Sequence, residues 1–287
     1  MSPPFRQLVV TADDFGADLA VNEAVETASV EGVLTAASLM VGAPAAQDAV
    51  NRARRLPGLA VGLHLVLVEG RPVLEPSQAP DLVDGEGRFR TDLAALGAAI
   101  FLRPSVRRQM EAEVRAQFEA FAATGLALDH VNAHKHYHLH PTILGAILKI
   151  GRAYGLRAVR APVEPPAVLE AVEPGARLRR STVAEVWATA ARRRVRRAGL
   201  DTPDQVFGLQ WSGAMTTQRL AGLMRRLPAG LTEIYLHPAV RDSYPGSAPG
   251  YRYTDEHRAL CDPSVRAAVA ESGARLGSFA AFRKEGR

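Results

Sequence analysis

Short apolar runs alternate with longer helical patterns along most of this 287-residue chain. That alternation constrains the fold more than any other feature. A brief run of consecutive apolar residues suits a strand buried on both faces, as strands of a parallel sheet are. Runs at 8–12, 37–41, 59–66, 127–132, 206–209 and 233–236 read as strands, with a short strand-like piece at 157–160. Helical patterns lie at 19–31, 45–56, 106–123, 142–154, 217–227, 255–260 and 263–271, and Pro141 stands where the helix at 142 should begin. Strands alternating with helices are βα units, which build a largely parallel sheet. Seven or so such units favour a closed or distorted (β/α) barrel over an open sheet, so we expect one α/β domain over residues 1–287. Segments 69–92 and 161–176 break the rhythm with Pro, Gly and acidic residues, and read as functional loops rather than linkers.

Composition narrows the class further. With 47% hydrophobic and 23% charged residues, the chain matches ordinary globular usage and is no disordered or fibrous protein. Its one cysteine, Cys261, allows neither an intrachain disulfide nor a thiolate zinc site. No run of 18 apolar residues occurs, and residues 1–6 lack a long apolar secretory core, so a cytoplasmic location is expected. The net charge of +5 is carried mainly by arginine, and only Lys135, Lys149 and Lys284 are lysines. Arg177, Arg179 and Arg180, then Arg192, Arg193, Arg194, Arg196 and Arg197, bracket an Ala-rich helical stretch. That stretch reads as a solvated helix or as a contact for an anionic partner such as a membrane surface. Aromatic residues make up 6%, with no interleaved aromatic and basic platform, so no nucleic-acid partner is expected.

In a parallel barrel, reactive groups gather at the carboxyl ends of strands. The first strand runs into Asp13 and Asp14. Adjacent carboxylates after an apolar strand repel one another, and a cation would relieve them. Capping of the following helix is better left to Asp18. The third strand carries His64, and Gly62 would let another group approach closely. Five of the eight histidines fall within 130–140: His130, His134, His136, His138 and His140. All are even-numbered, so an extended backbone would turn them to one side, about 6.6 Å apart. A metal bound at about 2.0–2.1 Å cannot collect them all, which leaves one or two as ligands and the rest for substrate or supporting contacts. His237 ends the late strand. One Asp with two His is a common facial metal set, and an ion so held can lower the pKa of a water towards about 7. The pattern points to metal-assisted hydrolysis.

These residues resemble the YdjC-like carbohydrate deacetylase family. The matching pieces, in family order, are Thr11-Ala12-Asp13-Asp14-Phe15-Gly16, Gly62-Leu63-His64-Leu65, Asn132-Ala133-His134-Lys135-His136-Tyr137-His138, Arg160-Ala161-Pro162 and Leu236-His237-Pro238. Residues 62–72, with Val68-Glu69-Gly70-Arg71-Pro72, and 129–141 are similar to the hopanoid-biosynthesis-associated branch. The resemblance implies a distorted barrel that removes acetyl from an N-acetylated amino sugar with one divalent ion. It implies Asp14, His64 and His134 as metal ligands, Asp13 as general base, His237 as general acid and Arg160 as the residue orienting the base. Many members carry Asp where this chain has Asn132, which keeps a hydrogen-bonding role but no charge. The branch implies an N-acetylglucosaminyl group on a hopanoid lipid, with peripheral contact to the membrane face. The two-His, one-Asp set suits zinc better than magnesium, which prefers more oxygen ligands. Alternatives are a deacetylase of soluble chito-oligosaccharides, a metal-dependent sugar isomerase on a barrel, and a basic nucleic-acid-binding protein.

Overall fold

A computed structural model describes residues 5–176 and 182–283. The strands are β1 (Arg6–Phe15), β2 (Ala36–Leu39), β3 (Ala60–Leu65), β4 (Leu128–Ala133), β5 (Gln205–Phe207), β6 (Gly230–Leu236) and β7 (Arg275–Leu276). The α-helices are α1 (Leu19–Glu31), α2 (Ala46–Ala53), α3 (Leu93–Leu102), α4 (Pro104–Ala123), α5 (Pro141–Gly151), α6 (Pro166–Val172), α7 (Thr182–Arg197), α8 (Thr217–Met224), α9 (Tyr253–Cys261) and α10 (Pro263–Ser272). All strand pairs are parallel, in the order β4-β3-β2-β1-β6-β5, with β7 beside the start of β1. Arg177, Arg179 and Arg180 lie outside the described residues. No helix among the described residues is long and apolar enough to cross a membrane.

The sheet curls into a distorted barrel whose gap lies between β4 and β5. Residues 157–163 span it with isolated bridges, Val131 to Val159 and Ala158 to Asp201, and Val206 N–H donates to Val163 C=O at 2.9 Å. The short strand expected at 157–160 is therefore a ladder fragment. Pro162, Pro165 and Pro166 follow it without a backbone donor, so the ladder cannot continue.

Local chemistry sets most of the helix boundaries. Asp18 caps α1, its side chain accepting from Ala20 N–H at 2.8 Å, as its position suggests. Pro141 opens α5, with the His140 ring accepting from Thr142 N–H. The 161–176 segment contains α6, and 69–92 holds a 3-10 turn at Pro76–Gln78 and a Val83–Phe89 bridge. Helix α3 escapes a periodicity argument because Leu93-Ala-Ala-Leu-Gly-Ala-Ala-Ile-Phe-Leu102 has no polar side chain to mark a face.

Two departures from regular strands matter most. Between Ala12 and Phe15, β1 advances three residues while β2 advances two, from Ala37 to Leu39. The extra residue is a β-bulge, and Asp14 takes a left-handed φ of 62°. The expected extended histidine run also ends early. Strand β4 stops at Ala133, and Lys135 and His136 turn left-handed at φ 54° and 52°.

The loops after β1 and β2 are tied together by Asn22, buried in α1. Its Oδ1 accepts from Gly16 N–H at 2.8 Å, and its Nδ2 donates to Ala45 C=O at 3.0 Å and Asp48 at 2.9 Å. Asn22→Ala strands the buried Gly16 N–H, while the Ala45 carbonyl keeps Ala49 N–H, and should cost about 1–3 kcal/mol in urea unfolding with an unchanged m-value. A loss below about 0.5 kcal/mol would show that these loops are held by other contacts.

Candidate active site

The carboxyl ends of β1, β3, β4 and β6 open into a cavity of about 510 Å³, lined by Asp13, Asp14, His64, His134 and His237 among others. In a regular strand Asp13 and Asp14 would face opposite sides. The bulge turns both towards the cavity. Among the described residues, the non-glycine positions with left-handed φ are Asp14, Glu69, Lys135 and His136, and all four line this cavity. Such conformations cost about 1–3 kcal/mol each, so the rest of the fold sustains a strained rim at this one place.

Asp13 is buried. Arg160 Nη1 donates to its Oδ2 at 2.5 Å, and Nη2 and Asn132 Nδ2 donate to its Oδ1 at 2.9 and 3.0 Å. Burial alone would raise its pKa; the Arg160 charge, with His64 behind it, outweighs burial and holds the carboxyl well below the usual range. Asp13 is therefore ionised, clamped, and left with about one free lone-pair site. Arg160, itself buried, also donates to Glu233 Oε1 at 2.8 Å and lies 4.4 Å over the Tyr235 ring. Thr11 Oγ1 donates to the same Glu233 oxygen at 2.9 Å.

Asp14 Oδ1 lies 3.2 Å from both His64 Nε2 and His134 Nδ1. One ligand atom from each of Asp14, His64 and His134 falls within 4.8 Å of the others, so the three can share one metal ion. A test of fit comes from the protons. Asn132 faces the carboxylate of Asp13, which only accepts, so its amide nitrogen must point there. Its Oδ1 then accepts from His64 Nδ1 at 2.6 Å, which places the His64 proton on Nδ1. The buried Nε2 faces the Asp14 oxygen and makes no aligned hydrogen bond; in the neutral ring it presents a lone pair. Two electron-rich atoms facing each other call for a cation between them. His134 tells the same story: burial lowers its pKa, but Asp14 outweighs that and raises it to about 9, so in the free protein a proton supplies the missing charge.

The remaining histidines divide their work. His136 Nε2 lies 2.9 Å from the Tyr235 hydroxyl, and burial, with Arg160, holds its pKa well below normal. His138 Nε2 donates to the Arg160 carbonyl at 2.8 Å, burial lowering its pKa to about 4. His140 caps α5. His130 lies behind the site, and a Cβ on Gly62 would fall 2.5 Å from its Cε1, which is the close approach that Gly62 permits. His237 enters from the end of β6, its backbone N–H donating to Glu256 Oε2 at 2.5 Å; burial lowers its pKa.

Several site residues escaped the sequence reading. Glu233 and Tyr235 were legible as polar groups on alternate positions of an otherwise apolar strand. Ser38 and Glu256 carried no such signal. Glu69, on the segment read as a functional loop, pairs with Lys135 at 3.1 Å and lies 3.8 Å from His134 Nε2. Pairing with His134 and then Lys135 lowers it to about 2.

Fold and site together define a parallel α/β barrel with a carboxylate–imidazole cluster suited to one cation. The chain belongs to the YdjC-like protein family, whose model matches residues 7–271. It is 31% identical over 283 residues to a carbohydrate deacetylase of Geobacillus stearothermophilus, covering 97% of this chain and 99% of that one. A carbohydrate deacetylase of Brevibacillus brevis is 43% identical over 160 residues, a match that spans 56% of this chain and 59% of that relative. Among solved structures, a candidate cellobiose-phosphate cleavage protein of Enterococcus faecalis superposes with a TM-score of 0.76 at 25% identity, covering 98% of this chain and all of that one.

The buried Asp13–Arg160–Glu233 group generates a stability prediction. Arg160→Met leaves two buried carboxylates without their cation and should cost about 3–5 kcal/mol in denaturant unfolding at neutral pH. A cost below about 1 kcal/mol would mean that the guanidinium does not hold this group together.

Proposed function

We propose that this protein removes the acetyl group from an N-acetylated amino sugar by metal-assisted amide hydrolysis. The observation that carries the reading is the convergence of His64 Nε2 and His134 Nδ1 on one Asp14 oxygen, beside a separately clamped Asp13. Kinship with the carbohydrate deacetylases of G. stearothermophilus and B. brevis supports the substrate class.

Asp14, His64 and His134 would hold the ion, and two nitrogens with one oxygen favour zinc over magnesium. Such an ion supplies Lewis-acid activation of a water and of the acetyl carbonyl. The chain's own groups do the rest. Asp13, ionised and fixed by Arg160, takes a proton from the attacking water through its free lone pair. Arg160 stops the carboxylate from rotating away. His237 delivers a proton to the departing sugar nitrogen. Tyr251, half-buried, lines the cavity and offers a ring surface for a sugar. Acetate and a free amine are the products.

We further propose that the sugar is carried on an amphiphile, an N-acetylglucosaminyl hopanoid in keeping with the branch resemblance, met at an anionic membrane face. A patch at the cavity end of the barrel supports this. Phe101 and Leu102 of α3 are 56% and 72% exposed, and Val186 and Trp187 of α7 are 64% and 44% exposed. His140 joins the two helices, its ring centroid 6.4 Å from Phe101 and 6.2 Å from Trp187. One helical face of α7 carries Val186 and Trp187, then exposed Arg193, Arg194 and Arg197. Apolar side chains beside arginines match an interfacial helix.

Purified protein should release acetate from an N-acetylglucosaminyl substrate. Asp13→Asn should keep zinc within a few-fold of wild type and lose about 10²–10⁴-fold in turnover; near-wild-type turnover would remove Asp13 from the chemistry. His64→Ala and His134→Ala should lose both metal and turnover. In co-sedimentation, vesicles containing anionic lipid should retain the protein and neutral vesicles should not. Phe101→Ser with Trp187→Ser should abolish that retention; equal sedimentation of both proteins would end the membrane reading.

A further inference from the structure

A chain of buried hydrogen bonds runs from the amino end of β4 to the Asp14–His64–His134 cluster. It begins where Ala280 N–H donates to Asp129 Oδ1 at 2.8 Å. Asp129 Oδ2 lies 3.0 Å from His130 Nδ1, and His130 Nε2 lies 3.0 Å from Ser38 Oγ. Asn132 Nδ2 donates to Ser38 Oγ at 2.9 Å and to Asp13 Oδ1 at 3.0 Å, while Asn132 Oδ1 meets His64 Nδ1 at 2.6 Å. Asp129, His130, Ser38 and Asn132 are all buried.

The Ser–His–Asp order is that of a nucleophilic triad, but Ser38 is 0% exposed and does not line the cavity. No substrate reaches it. The order does something else: it fixes the direction of every proton. The Asp129 carboxylate only accepts, so His130 carries a proton on Nδ1, and the neutral ring then presents a lone pair at Nε2. The Ser38 hydroxyl spends its single proton on that lone pair. Towards Asn132, Ser38 can then only accept. Asn132 thus faces two obligate acceptors, Ser38 and Asp13, and both hydrogens of its amide are committed. Its oxygen is left for His64 Nδ1–H.

We propose that Asp129, His130 and Ser38 are positioning residues that, together with Asp13, lock the Asn132 amide and, through it, hold His64 as the Nδ1–H tautomer with Nε2 free for metal. The inference deepens the metal reading above and rests on it. Partners that orient ligand histidines commonly change metal affinity by about 10–100-fold when removed. Here the orienting chain is three steps longer than a direct carboxylate contact, and it reaches back to Ala280 near the carboxyl end of the described chain.

Asp129→Asn tests the proposal with an isosteric change. The Ala280 N–H keeps the new amide oxygen, so the amide nitrogen faces His130 Nδ1. His130 must then accept there and donate from Nε2 to Ser38, which turns the Ser38 proton towards Asn132. An analogous Asp-to-Asn change at a serine-protease triad leaves the geometry intact and imposes the wrong tautomer. Ser38→Ala is the second variant and removes one acceptor outright. Nitrogen-15 spectra of His-labelled, metal-free protein read the His64 tautomer directly, and chelator competition reads zinc affinity. We expect wild-type His64 as Nδ1–H, a detectable Nε2–H fraction in both variants, where the Asn132 amide answers to Asp13 alone, and zinc affinity weakened about 10–100-fold, with far-UV circular dichroism unchanged. His64→Ala separates the two levels. If it binds zinc like wild type, the metal reading fails. If it loses zinc while both relay variants keep the wild-type tautomer and affinity, the relay proposal fails alone.

Discussion

One extra residue in β1 makes the site. A regular strand would send Asp13 and Asp14 to opposite faces and waste one of them. The bulge at Asp14, with its left-handed backbone, brings both carboxylates to the cavity end of the barrel. Two negative groups so close are unstable together unless each finds a different cation. Arg160 answers the first through a paired contact, and the imidazoles of His64 and His134 gather around the second. The separation of roles between neighbouring aspartates follows from which positive charge each one meets.

The burial pattern reinforces that division. Arg160 is shared between Asp13 and Glu233, so one guanidinium serves two buried acidic groups, and Asp14 lies beside them. Burying charge is costly, and this crowding is tolerable only where a cation can enter. Asp14, outweighing burial, raises His134 to about 9, and the proton so held occupies that role in the free protein. Every left-handed non-glycine residue among those described lines the same cavity, which places the backbone strain and the charge imbalance together.

Much of this was legible in the sequence, for reasons that are physical. Parallel strands put their carboxyl ends at one mouth, so an Asp or His that ends an apolar run lands there. Asp13, Asp14, His64 and His237 follow that rule. Gly62 announced a close approach, and His130 fills it. What the sequence hid was local geometry. No propensity marks Asp14 as a bulge, and an even spacing of histidines suggested one extended face, whereas Lys135 and His136 turn the chain and scatter the last three rings to Tyr235, the Arg160 carbonyl and the start of α5. Glu233 and Tyr235 were visible only as polar interruptions of a strand. Helix α3 was invisible because a wholly apolar segment has no periodicity to read.

The central claim is that these separated residues converge on a single cation. Diffraction from crystals soaked with zinc, recorded on both sides of the zinc absorption edge, tests it most directly. The account predicts one strong anomalous peak within bonding distance of Asp14 Oδ1, His64 Nε2 and His134 Nδ1. A peak held by other residues, or none at this cluster under saturating zinc, would contradict it.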